Sequence, residues 1–292
     1  MSVLDEEKDP IYQGRRLRKR LRAARERAGL THTDVASRLE WSPSKINRIE
    51  TGKVRLTLTD SQALLGLYGV EDAAQIEEIA DLVRAARRPP WWAGYRGVAA
   101  EEFLQYLSFE SSAIRIRNFE SNLVPGLLQT EEYAREVLKA SLGETSATDA
   151  LLTLRLERQE RVVRADGVEL FFILDEAAVR RIVGSAKTMK NQCEKLLALN
   201  EMDNVTVKVA PFTSGLYPQF RSPYVLFQFP EDEEEDLVAY LEKPDGQVLL
   251  NERSAFTGPG MRDPSDYLDD FWHVERHVAV NLEEEFLMRG LT

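Results

Sequence analysis

Between Gly29 and Gly52 the chain carries two helix starts in close succession. Thr31-x-x-Asp34 has capping-box form, in which a threonine oxygen and a carboxylate serve free backbone N–H groups. Ser42 caps the second start, and Pro43 takes the first helical position, where a missing N–H costs nothing. The two glycines stand where helices end. This spacing leaves room for two short helices joined by a tight turn at Glu40-Trp41. Val35, Ala36 and Leu39 supply the buried stripe of the first, and Ile46 and Ile49 that of the second. Ser44, Lys45, Asn47 and Arg48 then point elsewhere.

The flanks extend the pattern. A helix from about Tyr12 to Ala28 carries Leu17, Leu21 and Ala24 at helical spacing. A fourth opens at Thr59-x-x-Gln62 and ends near Gly69. A fifth, from Asp72 to Ala86, buries Ile76, Ile79, Ala80 and Val83. Arg87-Arg88-Pro89-Pro90 breaks the periodicity. The expected organisation is a flexible acidic tail over 1–13, an all-α helix-turn-helix domain of five helices over 14–88, and an α+β domain over 89–292. In the last, helices over 101–107, 130–139, 147–163, 176–183 and 185–200 interleave with a stretch over 113–119 that alternates like a strand and a short apolar run over 168–174. Four candidate strands then cluster late, at 205–209, 224–229, 237–241 and 248–250, before a closing helix from Pro264. That order suggests a mostly antiparallel sheet. The acidic run Glu231 to Asp236 reads as a solvated loop or, less simply, a partner-binding strip.

Net charge first argues against a nucleic-acid partner, at −11 over 292 residues. The average hides an asymmetry. Ile11 to Arg55 holds 13 Lys and Arg against 4 Asp and Glu, a local +9, so the rest carries −20. A basic block on an acidic chain suggests a local anionic partner. The N-terminus lacks the basic start and apolar core of a secretory signal, and no apolar run approaches the ~18 residues of a membrane span. A single cysteine, Cys193, excludes an internal disulfide and fits a reducing cytoplasm, where a DNA partner would make the chain nucleoid-associated.

If the second short helix enters a major groove, roles follow from side-chain chemistry. Ser44 reaches a base or phosphate from the first turn, beside Pro43. Arg48, one turn on, matches the O6/N7 edge of guanine. Asn47 pairs with adenine or bonds a phosphate. Lys45 contacts phosphate, or a base if the helix docks steeply, and Lys53 flanks the DNA backbone. His32 and Thr33 mark a helix N-terminus whose free N–H groups favour phosphate. Glu50 is an acid inside this unit, where a bare carboxylate would repel DNA, so it is expected to pair with Arg25.

Arg25-x3-Gly29-Leu30-Thr31, Asp34-Val35-Ala36 and the run Ser42 to Gly52 resemble the Xre-type, phage-repressor-like helix-turn-helix family over about residues 14–70. The resemblance implies that Pro43, Ser44 and Arg48 face base edges and that Arg25 and Glu50 form an internal pair. His32 departs from the family's usual glutamine. Trp91-Trp92, Val124 to Ala134, Arg155 to Gln159, Leu174-Asp175-Glu176, Val209 to Phe212 and Tyr240-Leu241-Glu242 resemble the C-terminal domain of actinobacterial WhiJ-like regulators. That resemblance implies control of development or antibiotic production, often with a small acidic partner protein.

Enzyme signatures are weak. His273 and His277 share a helix face but lack the H-E-x-x-H order and a third ligand. Gly184 to Thr188 fails the order of a phosphate loop. Neither catalytic residues, metal nor cofactor is expected. Trp91, Trp92 and Tyr95 are core packing at the domain junction or one wall of a ligand pocket or domain interface, and Phe212 and Tyr217 are a second candidate wall. The reading is a homodimeric regulator of a double-stranded DNA operator, controlled by a small-molecule effector or a protein. Its alternative is an antitoxin-like module that handles a small acidic partner and uses DNA for autoregulation.

Overall fold

A computed structural model describes residues 9–163, 168–229, 237–243, 246–251 and 262–288. The chain divides into two compact units, 1–94 and 95–292. The run Glu231 to Asp236 lies outside the described residues.

The first unit contains α1 (Pro10–Arg27), α2 (His32–Leu39), α3 (Pro43–Glu50), α4 (Leu58–Leu67) and α5 (Ala73–Ala85). Residues 10–13 belong to α1 and not to a tail. Asp9 caps that helix by accepting from the Ile11 N–H, and is itself only 2% exposed. The helix stops because Gly29 adopts φ +68°, which lets the Leu30 N–H reach the Arg25 carbonyl at 3.2 Å and the Gly29 N–H reach that of Glu26 at 2.9 Å. Thr31 caps α2 with the expected reciprocal box to Asp34, and Ser42 caps α3. Helix α4 begins two residues earlier than expected, because Thr57 and not Thr59 is the cap, accepting from the amide of the third helical residue, Asp60. One core joins all five helices, with Leu21, Val35, Ala36, Ile46, Ile49, Leu64 and Val83 at its centre. Each such large side chain contributes about 1.5–3 kcal/mol.

A 3₁₀ turn, Trp91–Tyr95, spans the boundary at Gly94. Trp92 is fully buried, and its indole N–H donates to Asp9 at 3.1 Å. This contact carries the unit boundary past the Pro89-Pro90 break to Gly94.

The second unit is built on a sheet of order β6-β5-β4-β1-β2-β3-β7. Its strands are β1 (Arg115–Glu120), β2 (Glu169–Asp175), β3 (Val205–Ala210), β4 (Tyr224–Gln228), β5 (Leu237–Lys243), β6 (Gly246–Asn251) and β7 (Val280–Asn281). The sheet is mixed, not mostly antiparallel. β1, β2 and β3 run parallel side by side, whereas β4, β5 and β6 form an antiparallel ribbon on β1. The cause lies in the connections. The pair α7 (Glu131–Leu142) and α8 (Ser146–Val163) returns the chain from β1 to β2, and α9 (Glu176–Arg180) with α10 (Ala186–Asn200) returns it from β2 to β3. Helical crossovers bring a chain back to the same end of a sheet, so the next strand is parallel. The remaining helices are α6 (Glu101–Glu110), α11 (Pro264–His277) and α12 (Glu284–Met288). Phe271 and Val274 of α11 pack on Tyr224, Leu226, Ala239 and Leu241.

Two polar networks hold this unit together. Arg158 of α8 is 6% exposed and makes two 2.6 Å bonds to the Glu110 carboxylate, with a third to the Tyr106 hydroxyl at 2.9 Å. The Val124 to Thr130 segment is tied down by glutamines. Gln159 donates to the Gly126 and Gln129 carbonyls, and Gln192 donates to that of Leu128 at 2.8 Å. Cys193 is buried on α10, and burial pushes its thiol up to about 11.

Candidate nucleic-acid interface

The interface is built on α3. Ile46 and Ile49 anchor one side of that helix in the core, at 1% and 3% exposure, which leaves Pro43, Ser44, Asn47 and Arg48 exposed on the other. The four share a face because they sit at i, i+1, i+4 and i+5. The Arg48 Nε donates to the Ser44 carbonyl at 3.3 Å, and the Ser44 hydroxyl lies 3.1 Å from that of Ser42. Lys53 and Arg55 follow the helix and are exposed, as is Thr33 on the first turn of α2. The caps take the Asp34 amide of α2 and the Lys45 amide of α3, and the first two N–H groups of each helix have no intrahelical acceptor, so each start is disposed toward an anion.

Behind α3 lies the Glu50 site. The carboxylate side chain is 3% exposed and accepts from the Arg25 Nε at 2.7 Å and from its Nη2 at 3.0 Å. Arg25 also donates to the Leu30 carbonyl at 2.8 Å. Arg22 adds a second cation at 3.4 Å. The expected pairing is thus geometrically present, and bidentate. Burial pushes the Glu50 carboxyl up, but the bonds from Arg25 and His32 outweigh it and hold the group below its ordinary value. Glu50 in turn raises the Arg25 guanidinium.

Two residues expected to meet phosphate are engaged elsewhere. The His32 Nε2 lies 3.0 Å from Glu50 Oε2, so its imidazole joins the ion-pair cluster. Packing of α2 on α3 brings these positions together although they are 18 apart in sequence. The Lys45 Nζ donates to Asp60 of α4 at 3.0 Å and sits 3.4 Å from the centre of the Trp41 ring. The carboxylate and the ring face both attract the ammonium, and this leaves it fastened between the turn and α4.

Gly52 closes the unit. Its φ is +77°, and a β-carbon there would meet the Arg18 guanidinium at 2.9 Å. Arg18 packs close against this turn, and burial together with Arg15 and Arg22 lowers it.

The aromatic candidates divide. Trp92 is core, and the Tyr95 hydroxyl donates to Glu157 at 3.0 Å. Trp91 is partly buried. Phe212 and Tyr217, by contrast, line one crevice in the second unit. His273 and His277 are exposed with ring centres 5.1 Å apart, and among the described residues no three metal-ligating groups converge. Gly184 precedes the Ser185–Thr188 cap of α10, a helix start with its own side-chain partners. Among the described residues no helix is long and apolar enough to cross a membrane.

Comparison with protein families gives two matches. The Helix-turn-helix domain family matches residues 16–79, which spans α2, α3 and the Glu50 site. Residues 103–258 match the Domain of unknown function (DUF5753) family, from α6 through β6. Neither the curated proteins nor the solved structures returned a match. With more than half of its length matched, the chain belongs to the DUF5753 family and carries a helix-turn-helix domain of the DNA-binding, regulatory kind in front of it.

Proposed function

We propose that this protein is a sequence-specific transcriptional regulator of the Xre type that reads an operator through α3. The observation that carries the reading is the exposed Pro43-Ser44-Asn47-Arg48 face on a helix locked from behind by the Arg25–Glu50 pair. A helix held this way presents its polar face in one orientation, as base readout in the major groove demands. Arg48 is the base-reading residue. Pro43, Ser44 and Asn47 set the fit at the tip, while Thr33 and Lys53 neutralise phosphate. Two copies would place their recognition helices about 34–36 Å apart on a palindromic site.

The second unit, by this proposal, is a non-enzymatic effector or partner domain, and the protein works in the cytoplasm at the nucleoid. The motif resemblance to WhiJ-like regulators supports that assignment, with a small acidic protein as one controlling partner. The division of roles between Arg48 and Lys53 is tested by competition binding to a selected operator against scrambled DNA. Arg48→Ala should bring both affinities to the same value. Lys53→Ala should weaken both alike and reduce the salt slope by about 0.9. Equal loss of preference in both variants would refute the division.

A further inference from the structure

The parallel strands β1, β2 and β3 end together, and their carboxyl ends open onto a crevice of about 390 Å³. Ser121 follows β1, Asp175 ends β2, and the segment after β3 supplies Phe212, Tyr217, Phe220 and Arg221. The region outside the carboxyl ends of parallel strands is where open α/β sheets bind small molecules.

Charge within the crevice is unusual in one respect. Asp175 accepts from the Ala177 N–H at 2.8 Å and from the Tyr217 hydroxyl. These fill two of the roughly four acceptor positions of a carboxylate, and both donors are neutral. Arg221 is exposed and stacks its guanidinium 5.1 Å from the Phe220 ring centre. Among the described residues neither Asp175 nor Arg221 makes an ion pair. Opposite charges therefore line one cavity without meeting. The wall beside them is aromatic, with Phe212 at 60% exposure and Tyr217 edge-on to Phe220 at 6.1 Å. Leu216, at 83% exposure, extends the apolar surface beside Gly215 at the rim. Exposed apolar groups concentrated at a polar cleft mark a binding surface.

We infer that this crevice binds a small zwitterion of amino-acid type, its ammonium group on Asp175, its carboxylate on Arg221 and an apolar body against Phe212 and Phe220. Each end would gain a charge-assisted hydrogen bond in a partly desolvated site, and the ammonium would also meet the aromatic faces. The inference gives a ligand class to the effector domain proposed above. It rests on that reading only for its regulatory purpose, since binding is measured without DNA.

The test is calorimetric titration of the full-length protein with L-phenylalanine and two singly charged analogues, phenethylamine and 3-phenylpropionate. L-phenylalanine should saturate the site, and each analogue should bind at least about tenfold more weakly. Asp175→Asn should reduce L-phenylalanine to the affinity of 3-phenylpropionate. Arg221→Gln, a change on an exposed side chain that leaves the fold intact, should reduce it to that of phenethylamine. Absence of saturable binding by L-phenylalanine, equal binding by either analogue, or indifference to Arg221→Gln would each overturn the inference. None of these outcomes bears on operator binding, and loss of the operator reading would leave the titration unchanged.

Discussion

Replacing Glu50 by glutamine isolates the charge of the carboxylate that locks the recognition helix. The shape is kept, but Arg25, at 11% side-chain exposure, loses the anion it grips through two bonds of 2.7 and 3.0 Å. Hydrogen bonds to a charged group contribute about 1.5–3 kcal/mol each, and removing one partner of a fully buried ion pair costs about 3–5 kcal/mol. Glutamine still accepts one bond, and Arg25 keeps the Leu30 carbonyl, so about 2–3 kcal/mol is expected. Hydrogen exchange over residues 16–50 of the full-length protein reads this directly. Protection of the α1 and α3 amides should fall about 30- to 150-fold, since 1.4 kcal/mol is a factor of ten. The sign with pH follows from the depressed carboxyl of Glu50. Its contribution is complete above the unfolded value of about 4.3 and is lost as pH falls through the lower folded value. Wild type and variant should therefore differ at neutral pH and converge in strong acid. A loss of protection under about threefold at pH 7, or a difference that grows as pH falls, would refute the reasoning.

Lys45 and Asp60 yield unequal effects on the salt dependence of DNA binding. Lys45→Met should leave the salt slope unchanged because its ammonium is held by Asp60 and Trp41, whereas Asp60→Asn should free it and steepen the slope by up to about 0.9. A shallower slope in Lys45→Met, measured by anisotropy across salt concentrations, would show that the lysine leaves its clamp on DNA. Gly52→Ala must adopt φ +77° and displace the Arg18 guanidinium. It should destabilise the first unit by about 1–3 kcal/mol, visible as a lower thermal midpoint, and an unchanged midpoint would show that Arg18 moves aside freely.

The features legible in the sequence are those whose signals lie within one turn of each other. Thr31 with Asp34, Ser42 with Pro43, and Gly29 and Gly52 each set a helix end by local chemistry, and α1 to α3 lie where those signals put them. The Arg25–Glu50 pair could be anticipated because an unpaired carboxylate beside DNA is costly. Features set by packing were hidden. Nothing near His32 points to Glu50, and nothing near Lys45 points to Asp60 on another helix. Thr57 and Thr59 both offer a capping oxygen, and local pattern does not rank them. In the second unit, strands were visible as apolar runs, but their partners were not. The runs at 113–119, 168–174 and 205–209 are separated by helices, and that separation is the sign of a parallel centre. The cluster of late strands signals only the antiparallel ribbon of β4, β5 and β6. Asp175 and Arg221 are far apart in the chain and share a crevice because the parallel strands β2 and β3 finish at the same end of the sheet.

The central claim is that α3 reads sequence. Genome-wide capture of DNA by the purified full-length protein at two salt concentrations tests it most directly. Recovery of a few sites that share a short motif with two-fold symmetry, retained at the higher salt, is the expected result. Diffuse binding that collapses as salt rises would mean attraction to phosphate without readout, and would contradict the account.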